Sequence, residues 1–335
     1  MHVIELTRQL LAVPSPTGIE GQAAAFVAGW LEKEGFSITR QEVEPGRFNI
    51  LASAGGPVEI VLCSHLDTVP HPADSGEDAR YLRGRGACDA KGPTAAMMIA
   101  GRDARREGFL RFGLLFVAGE ETDSLGARRA SDLNVKSRAI VIGEPTENKL
   151  ALGHKGVLLI RLKAAGRAAH SAFPLLGKSA IHLLLDALQS VRELDLGEDP
   201  ELGKSTLNIG RIEGGATDNM IAPEAWATVM VRCAVPFQPL LDRILRSVGE
   251  RASCLVELAN DPVRLGRLPG FETTVLPFGS DAPYLAGFGE RFMLGPGRPE
   301  DAHTEGEKIE KSALEEAVLI YRRLILEIPG RIEGG

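Results

Sequence analysis

No stretch of the 335-residue sequence approaches the roughly 20 apolar residues that a membrane span needs. No run of lysine or arginine occurs in a chain whose net charge is −7. Neither a membrane nor a nucleic acid is therefore an expected partner. Cysteine is scarce. Cys63, Cys88, Cys233 and Cys254 are the four, and none has the spacing of a metal knuckle or a redox pair. A basic start followed by an apolar core is missing from Met1 to Leu6, so no secretion signal is read there. These absences together lead us to expect a cytoplasmic protein with reduced thiols. What is present is ordinary soluble composition, 44% hydrophobic and 25% charged, enough for two hydrophobic cores at this length. Gly-Arg-Ile-Glu-Gly-Gly occurs at Gly210–Gly215 and again at Gly330–Gly335. Six residues are too short for a structural repeat. The echo is a coincidence or a cloning remnant.

Apolar runs alternate with helical patterns over the first half of the chain. Short runs at Ile38–Val43, Asn49–Ala52, Glu59–Cys63, Phe112–Ala118 and Ala139–Ile142 read as strands. Thr17 to Gly35, opened by Thr17 and Glu20 in capping-box spacing, and Pro93 to Glu107 read as helices. This order predicts an α/β domain with a mixed, mostly parallel sheet flanked by helices. From about Val157 the pattern changes to β-α-β-β-α-β, a compact α+β plan of its own. We therefore expect a catalytic domain at 1–156 and 269–335, with an inserted ferredoxin-like domain at 157–268.

Several charged residues follow these strands directly. His65 and Asp67 form His-x-Asp at a strand end, where i and i+2 point the same way. Asp67 could thus support a ligating histidine. Asp89 sits in the glycine-punctuated stretch Gly84–Gly92, Glu120 and Glu121 follow Phe112–Ala118, and Glu144 follows Ala139–Ile142. His303 lies in a Gly/Pro-rich loop. Taken singly, each has a plain structural reading as a helix cap, a solvated turn or a loop residue. Taken together, two histidines and several carboxylates at strand C-terminal edges are the donors that divalent zinc, cobalt or manganese takes.

Ser64–Pro70, Gly84–Gly92, Gly119–Glu121, Gly143–Thr146 and Ala302–His303 resemble, in order, the motifs of the acetylornithine deacetylase / succinyl-diaminopimelate desuccinylase / aminoacylase / carboxypeptidase G family of co-catalytic zinc hydrolases. The resemblance covers nearly the whole chain. It implies that His65 and Glu144 bind one metal ion, that Glu121 and His303 bind a second, and that Asp89 bridges them. It implies Zn in both places, with Co or Mn able to substitute. Asp67 would orient His65, and Glu120 would be the general base that activates one water. A cis peptide is implied between Asp89 and Ala90.

The inserted domain looks like the family's lid and dimerisation domain. His170 matches a histidine that stabilises the oxyanion, often in the partner's site. Asn219, Arg232, Gly279 and Ser280 match substrate-binding positions. The implied assembly is a homodimer paired through the lid. Phe278–Leu285 and Leu294–His303 look most like the acetylornithine deacetylase branch, although Ala90 and Thr304 depart from its pattern. The expected reaction is removal of an acyl group, acetyl above all, from an N-acyl amino acid such as N-acetylornithine. The alternatives are a metallo-dipeptidase or carboxypeptidase, a desuccinylase, and a hydrolase of lysine or ornithine on a carrier protein. A non-catalytic homologue is disfavoured because every ligand and the base are kept.

Overall fold

The computed structural model describes residues 1–332, and the second Gly-Arg-Ile-Glu-Gly-Gly, at Gly330–Gly335, lies partly outside them. The chain divides into two compact units. Residues 1–152, 265–274 and 280–335 form the first, and residues 153–264 and 275–279 the second.

The first unit is built on a six-stranded sheet. Its order is Ser37–Glu44, Arg47–Ser53, Phe112–Val117, Ile60–His65, Ala139–Ile142 and Glu290–Met293. The first three strands pair antiparallel, and from Phe112–Val117 onward every pair is parallel. The two central strands are buried along their whole length, as continuous apolar runs in the middle of a layered sheet should be. Helices Val3–Leu11, Gly21–Lys33, Lys91–Arg106 and Lys311–Ile332 accompany the sheet. Leu62, Met97, Phe112 and Tyr321 meet in one core, where the Tyr321 hydroxyl donates to the Leu294 carbonyl at 2.9 Å. This is the expected mixed α/β sheet.

Three parallel neighbours, Ile60–His65, Phe112–Val117 and Ala139–Ile142, run in near register, His65 beside Val117 and Cys63 beside Ile142. Their C-terminal ends therefore deliver His65, Glu120, Glu121 and Glu144 to one edge of the sheet. Gly119 makes the turn after Phe112–Val117 with φ of 84°, and a Cβ there would stand 2.9 Å from Arg47 Nη2.

Some local expectations were displaced. The second helix begins at Gly21, and neither Thr17 nor Glu20 caps it in the expected way. Glu20 pairs instead with Arg47, and Thr17 bonds Asp67. Before the last helix, Lys308–Glu310 is a strand antiparallel to Tyr81–Arg83. Leu150–His154 is a further strand that the sequence pattern did not separate from its flanks.

The second unit carries a four-stranded antiparallel sheet in the order Thr206–Gly214, Glu224–Cys233, Gly156–Ala165, Ser253–Asn260. Helices Ala180–Arg192 and Phe237–Val248 pack on it through Leu184, Leu188, Leu240 and Ile244. Ser179 caps the first of these, its hydroxyl accepting from the His182 amide at 3.3 Å. All four cysteines are free thiols. No helix among the described residues is long and apolar enough to cross a membrane.

Candidate metal centre

Asp89 stands between two histidines. Its Oδ1 is 2.9 Å from His65 Nε2 and its Oδ2 is 3.2 Å from His303 Nε2. Glu121 closes the group, its Oε2 lying 2.9 Å from His303 Nε2. His65, Asp89 and Glu121 can each point one donor atom into a single small space. The peptide between Asp89 and Ala90 is cis, and Asp89 does not cap the helix that follows. His303 reaches the cluster from a loop, with φ of 62°.

The electrostatics are those of a cluster rich in negative charge. Burial, and then the charge of Glu144, push the Glu120 carboxyl well above its ordinary value. Glu144 is raised by burial against the pull of His65, and Glu121 by burial against the hydrogen bond of His303. Asp281 is driven up by burial to about 7. For Asp89 burial opposes ionisation, but the hydrogen bonds of His303 and His65 outweigh it and hold the group below its usual range. So many carboxyls in one small region call for cations. A donor set of two histidines and several carboxylates fits divalent metal ions.

Asp67 was expected to orient His65 through its carboxylate. The nearer partner of His65 Nδ1 is the Asp67 carbonyl, at 2.9 Å, while the carboxylate Oδ1 is 3.6 Å away. The carboxylate, beside His65, is also engaged elsewhere. Oδ1 accepts from the amides of Gly119 and Glu120 at 2.9 and 3.1 Å. Oδ2 accepts from the Glu121 amide at 3.2 Å and the Thr17 hydroxyl at 2.7 Å. Asp67 thus pins the backbone of the segment that carries Glu120 and Glu121. Thr17→Val should loosen that segment, because a hydrogen bond to a charged group contributes about 1.5–3 kcal/mol. Amide hydrogen exchange at Gly119–Glu121 should speed up roughly tenfold or more, and Thr17→Ser should restore it. Unchanged exchange in Thr17→Val would show that the hydroxyl does not hold the segment.

Glu307 escaped the sequence reading, whereas Asp281 was expected, with Gly279 and Ser280, to line a substrate pocket. Glu307, fully buried, accepts from the amides of Cys88 and Asp89 at 3.1 and 3.2 Å and pairs with Arg85. It sets the loop that presents Asp89. Asp281 is buried with Oδ1 lacking a partner among the described residues. The hydroxyl of the adjacent Ser280 accepts from the Ala282 amide at 3.1 Å.

The second unit contains the other sequence-predicted residues except Ser280. His170 is exposed, bridges to Met220 and accepts at Nδ1 from the Ala172 amide at 3.1 Å. Asn219 is exposed, with its carbonyl accepting from the Ser171 amide at 2.9 Å. Arg232 is half-buried on the Glu224–Cys233 strand, opposite Val157 and Thr206. Gly279 ends this unit and Ser280 begins the last segment of the first.

Comparison with known proteins agrees with this chemistry. Residues 61–327 match the model of peptidase family M20/M25/M40. A peptidase M20 domain-containing protein of Schizosaccharomyces pombe is 36% identical, over 97% of this chain and 84% of its own. A probable carboxypeptidase of Aspergillus clavatus is 36% identical, over 96% of this chain and 82% of its own. A tripeptidase of Staphylococcus aureus shares the fold, with a TM-score of 0.82 at 21% identity over 98% of both chains. The chain is a hydrolase of amide bonds and belongs to peptidase family M20/M25/M40.

Proposed function

We propose that this chain is a dinuclear metallopeptidase that cleaves small peptides, of carboxypeptidase or dipeptidase type. The observation that carries the reading is Asp89 held between His65 and His303, one carboxylate oxygen toward each. The family membership and the probable carboxypeptidase among the relatives support the substrate class. They reverse the order expected from sequence, which put deacylation of an N-acyl amino acid first.

His65 and Glu144 would hold one divalent ion, Glu121 and His303 the other, with Asp89 shared between them. When bound, such ions polarise the scissile carbonyl and lower the pKa of water. Glu120 takes a proton from the attacking water and returns it to the leaving nitrogen. Its upward-shifted carboxyl holds that proton between the two steps. Asp67 and Thr17 keep Glu120 in reach by fixing its backbone. Arg232, with a planar fork of donors, suits the free carboxylate of a peptide, and Asn219, Gly279 and Ser280 complete the substrate contacts.

We infer that 157–268 is a ferredoxin-like lid that pairs two copies into a homodimer, His170 serving the partner's site. Apolar exposure beside His170 supports this: Leu175 is 94% exposed, Leu176 65% and Phe173 60%. A cluster of that kind is costly in water and marks a contact surface. The outer strands Thr206–Gly214 and Ser253–Asn260 also leave sheet edges to be covered.

A second reading, deacetylation in the manner of acetylornithine deacetylase, is supported by the Phe278–Leu285 and Leu294–His303 stretches. One panel separates the two. Dipeptides, tripeptides, N-acetyl and N-succinyl amino acids are assayed with added zinc or cobalt. We expect the highest kcat/KM on a peptide. An N-acetyl amino acid cleaved at least about tenfold better, a difference of about 1.4 kcal/mol, would replace the peptidase reading with the deacetylase one.

A further inference from the structure

The Arg85 guanidinium joins three loops of the first unit. Its side chain is 13% exposed and pairs through Nη1 with Glu307. Nε donates to the His71 carbonyl at 2.6 Å, and Nη2 to the carbonyls of Pro72 and Thr304 at 3.2 and 3.0 Å. A guanidinium is a rigid planar fork of N–H groups, so acceptors gathered on one are fixed relative to each other. Backbone bonds run alongside, from the Asp74 amide to the Glu305 carbonyl at 2.8 Å and from the Gly84 amide to the Glu307 carbonyl at 3.1 Å.

Glu307 carries the link to Asp89, accepting from its amide at 3.2 Å. Thr304 carries it to its neighbour in the chain, His303. One guanidinium thus connects the backbones of Asp89 and His303, whose side chains meet at 3.2 Å. His303 is the group that needs such support. Its φ is 62°, a conformation that a non-glycine residue keeps only where its surroundings hold it. Its side chain is 50% exposed, so little packing fixes it. The other groups expected to hold metal differ. His65 ends one buried strand, Glu144 follows another, and both are buried. The Glu121 side chain is buried and its amide is held by Asp67.

We propose that Arg85 is a positioning residue for one metal ion of the two: its fork locks the His303 loop to the Asp89 loop and so sets the affinity for the ion on Glu121 and His303. As a cation it supplies no donor atom itself. The inference rests on the dinuclear reading above and adds that the two sites differ in what supports them.

The test is stepwise removal of zinc from the loaded protein by a chelator of known affinity, for the wild type beside Arg85→Gln and Arg85→Lys. The wild type is expected to release two ions. Groups that orient metal ligands contribute about 10–100-fold to affinity, so Arg85→Gln should weaken one ion by about that factor and the other by less than about threefold. Lysine keeps a charge beside Glu307, but one ammonium does not reproduce the planar fork. Arg85→Lys should therefore still weaken the same ion, by at least about tenfold. It is the milder change and keeps the test open if the glutamine variant misfolds. In His303→Ala, where that ion is already lost, adding Arg85→Gln should shift the remaining affinity by less than about threefold. Wild-type affinities in a folded Arg85 variant would overturn the proposal. So would equal weakening of both ions, which would make Arg85 a part of the general scaffold, and so would a further loss in the His303→Ala background. A wild type that holds one ion only would overturn the dinuclear reading along with the proposal, an outcome distinct from a two-ion wild type with an unaffected variant.

Discussion

Glu120→Ala is expected to lower kcat by roughly 10²–10⁴, the usual contribution of a positioned general base, while the purified protein keeps two bound metal ions. Glu120 and Glu121 are adjacent in sequence but differ in surroundings. Glu121 touches His303, which touches Asp89, so it belongs to the donor group. Glu120 makes no such contact with a histidine among the described residues, and burial beside Glu144 raises its carboxyl. Removing Glu120 therefore takes out the proton carrier and leaves the donors. The measurements are kcat on the best substrate of the panel and metal content by elemental analysis. A chelator should silence the wild type through the other component, by emptying the centre. If the variant instead binds one metal ion fewer, the roles of Glu120 and Glu121 are exchanged.

The second large effect is recovery rather than loss. His170→Ala and Glu120→Ala should each be inactive as homodimers. Mixed and allowed to exchange subunits, they should regain as much as about a quarter of wild-type activity, given random pairing and independent sites. In a mixed dimer, one site combines an intact Glu120 with an intact His170 from the partner, and the other site has neither. The expectation rests on His170 lying exposed in the second unit, among the uncovered side chains of Phe173, Leu175 and Leu176. Exchange is checked with differently tagged subunits. Confirmed exchange without activity would place the action of His170 in its own chain, or remove it from the reaction.

How much of this was legible beforehand depends on the range of each interaction. Apolar runs of four to six residues marked the strands Ile60–His65, Phe112–Val117 and Ala139–Ile142, because burial on both faces forces such composition. The residues that follow them could then be picked out without coordinates, since parallel neighbours end on the same side. Short polar strands could not. Lys308–Glu310 is a strand only because Tyr81–Arg83 lies beside it, and its three residues carry no periodic signal of their own. Thr17 and Glu20 had the spacing of a cap, yet they satisfy Asp67 and Arg47, partners 50 and 27 residues away.

The sequence by itself determined which chemistry the chain could do. Two histidines and the acids Asp89, Glu120, Glu121 and Glu144, placed after apolar strands, set the donor types and their edge of the sheet, and the ordered motifs set the family. Tertiary structure decided what each group touches. Only folding brings Asp89 between His65 and His303, or sets the Asp67 carboxylate on three amides and Thr17 as well as beside His65. Only folding gathers His71, Pro72, Thr304 and Glu307 around Arg85. The physical reason is that composition and periodicity record how much of a residue is buried. Hydrogen-bond partners are chosen among groups far apart in the chain, by distances that exist only once the sheet and its loops are assembled.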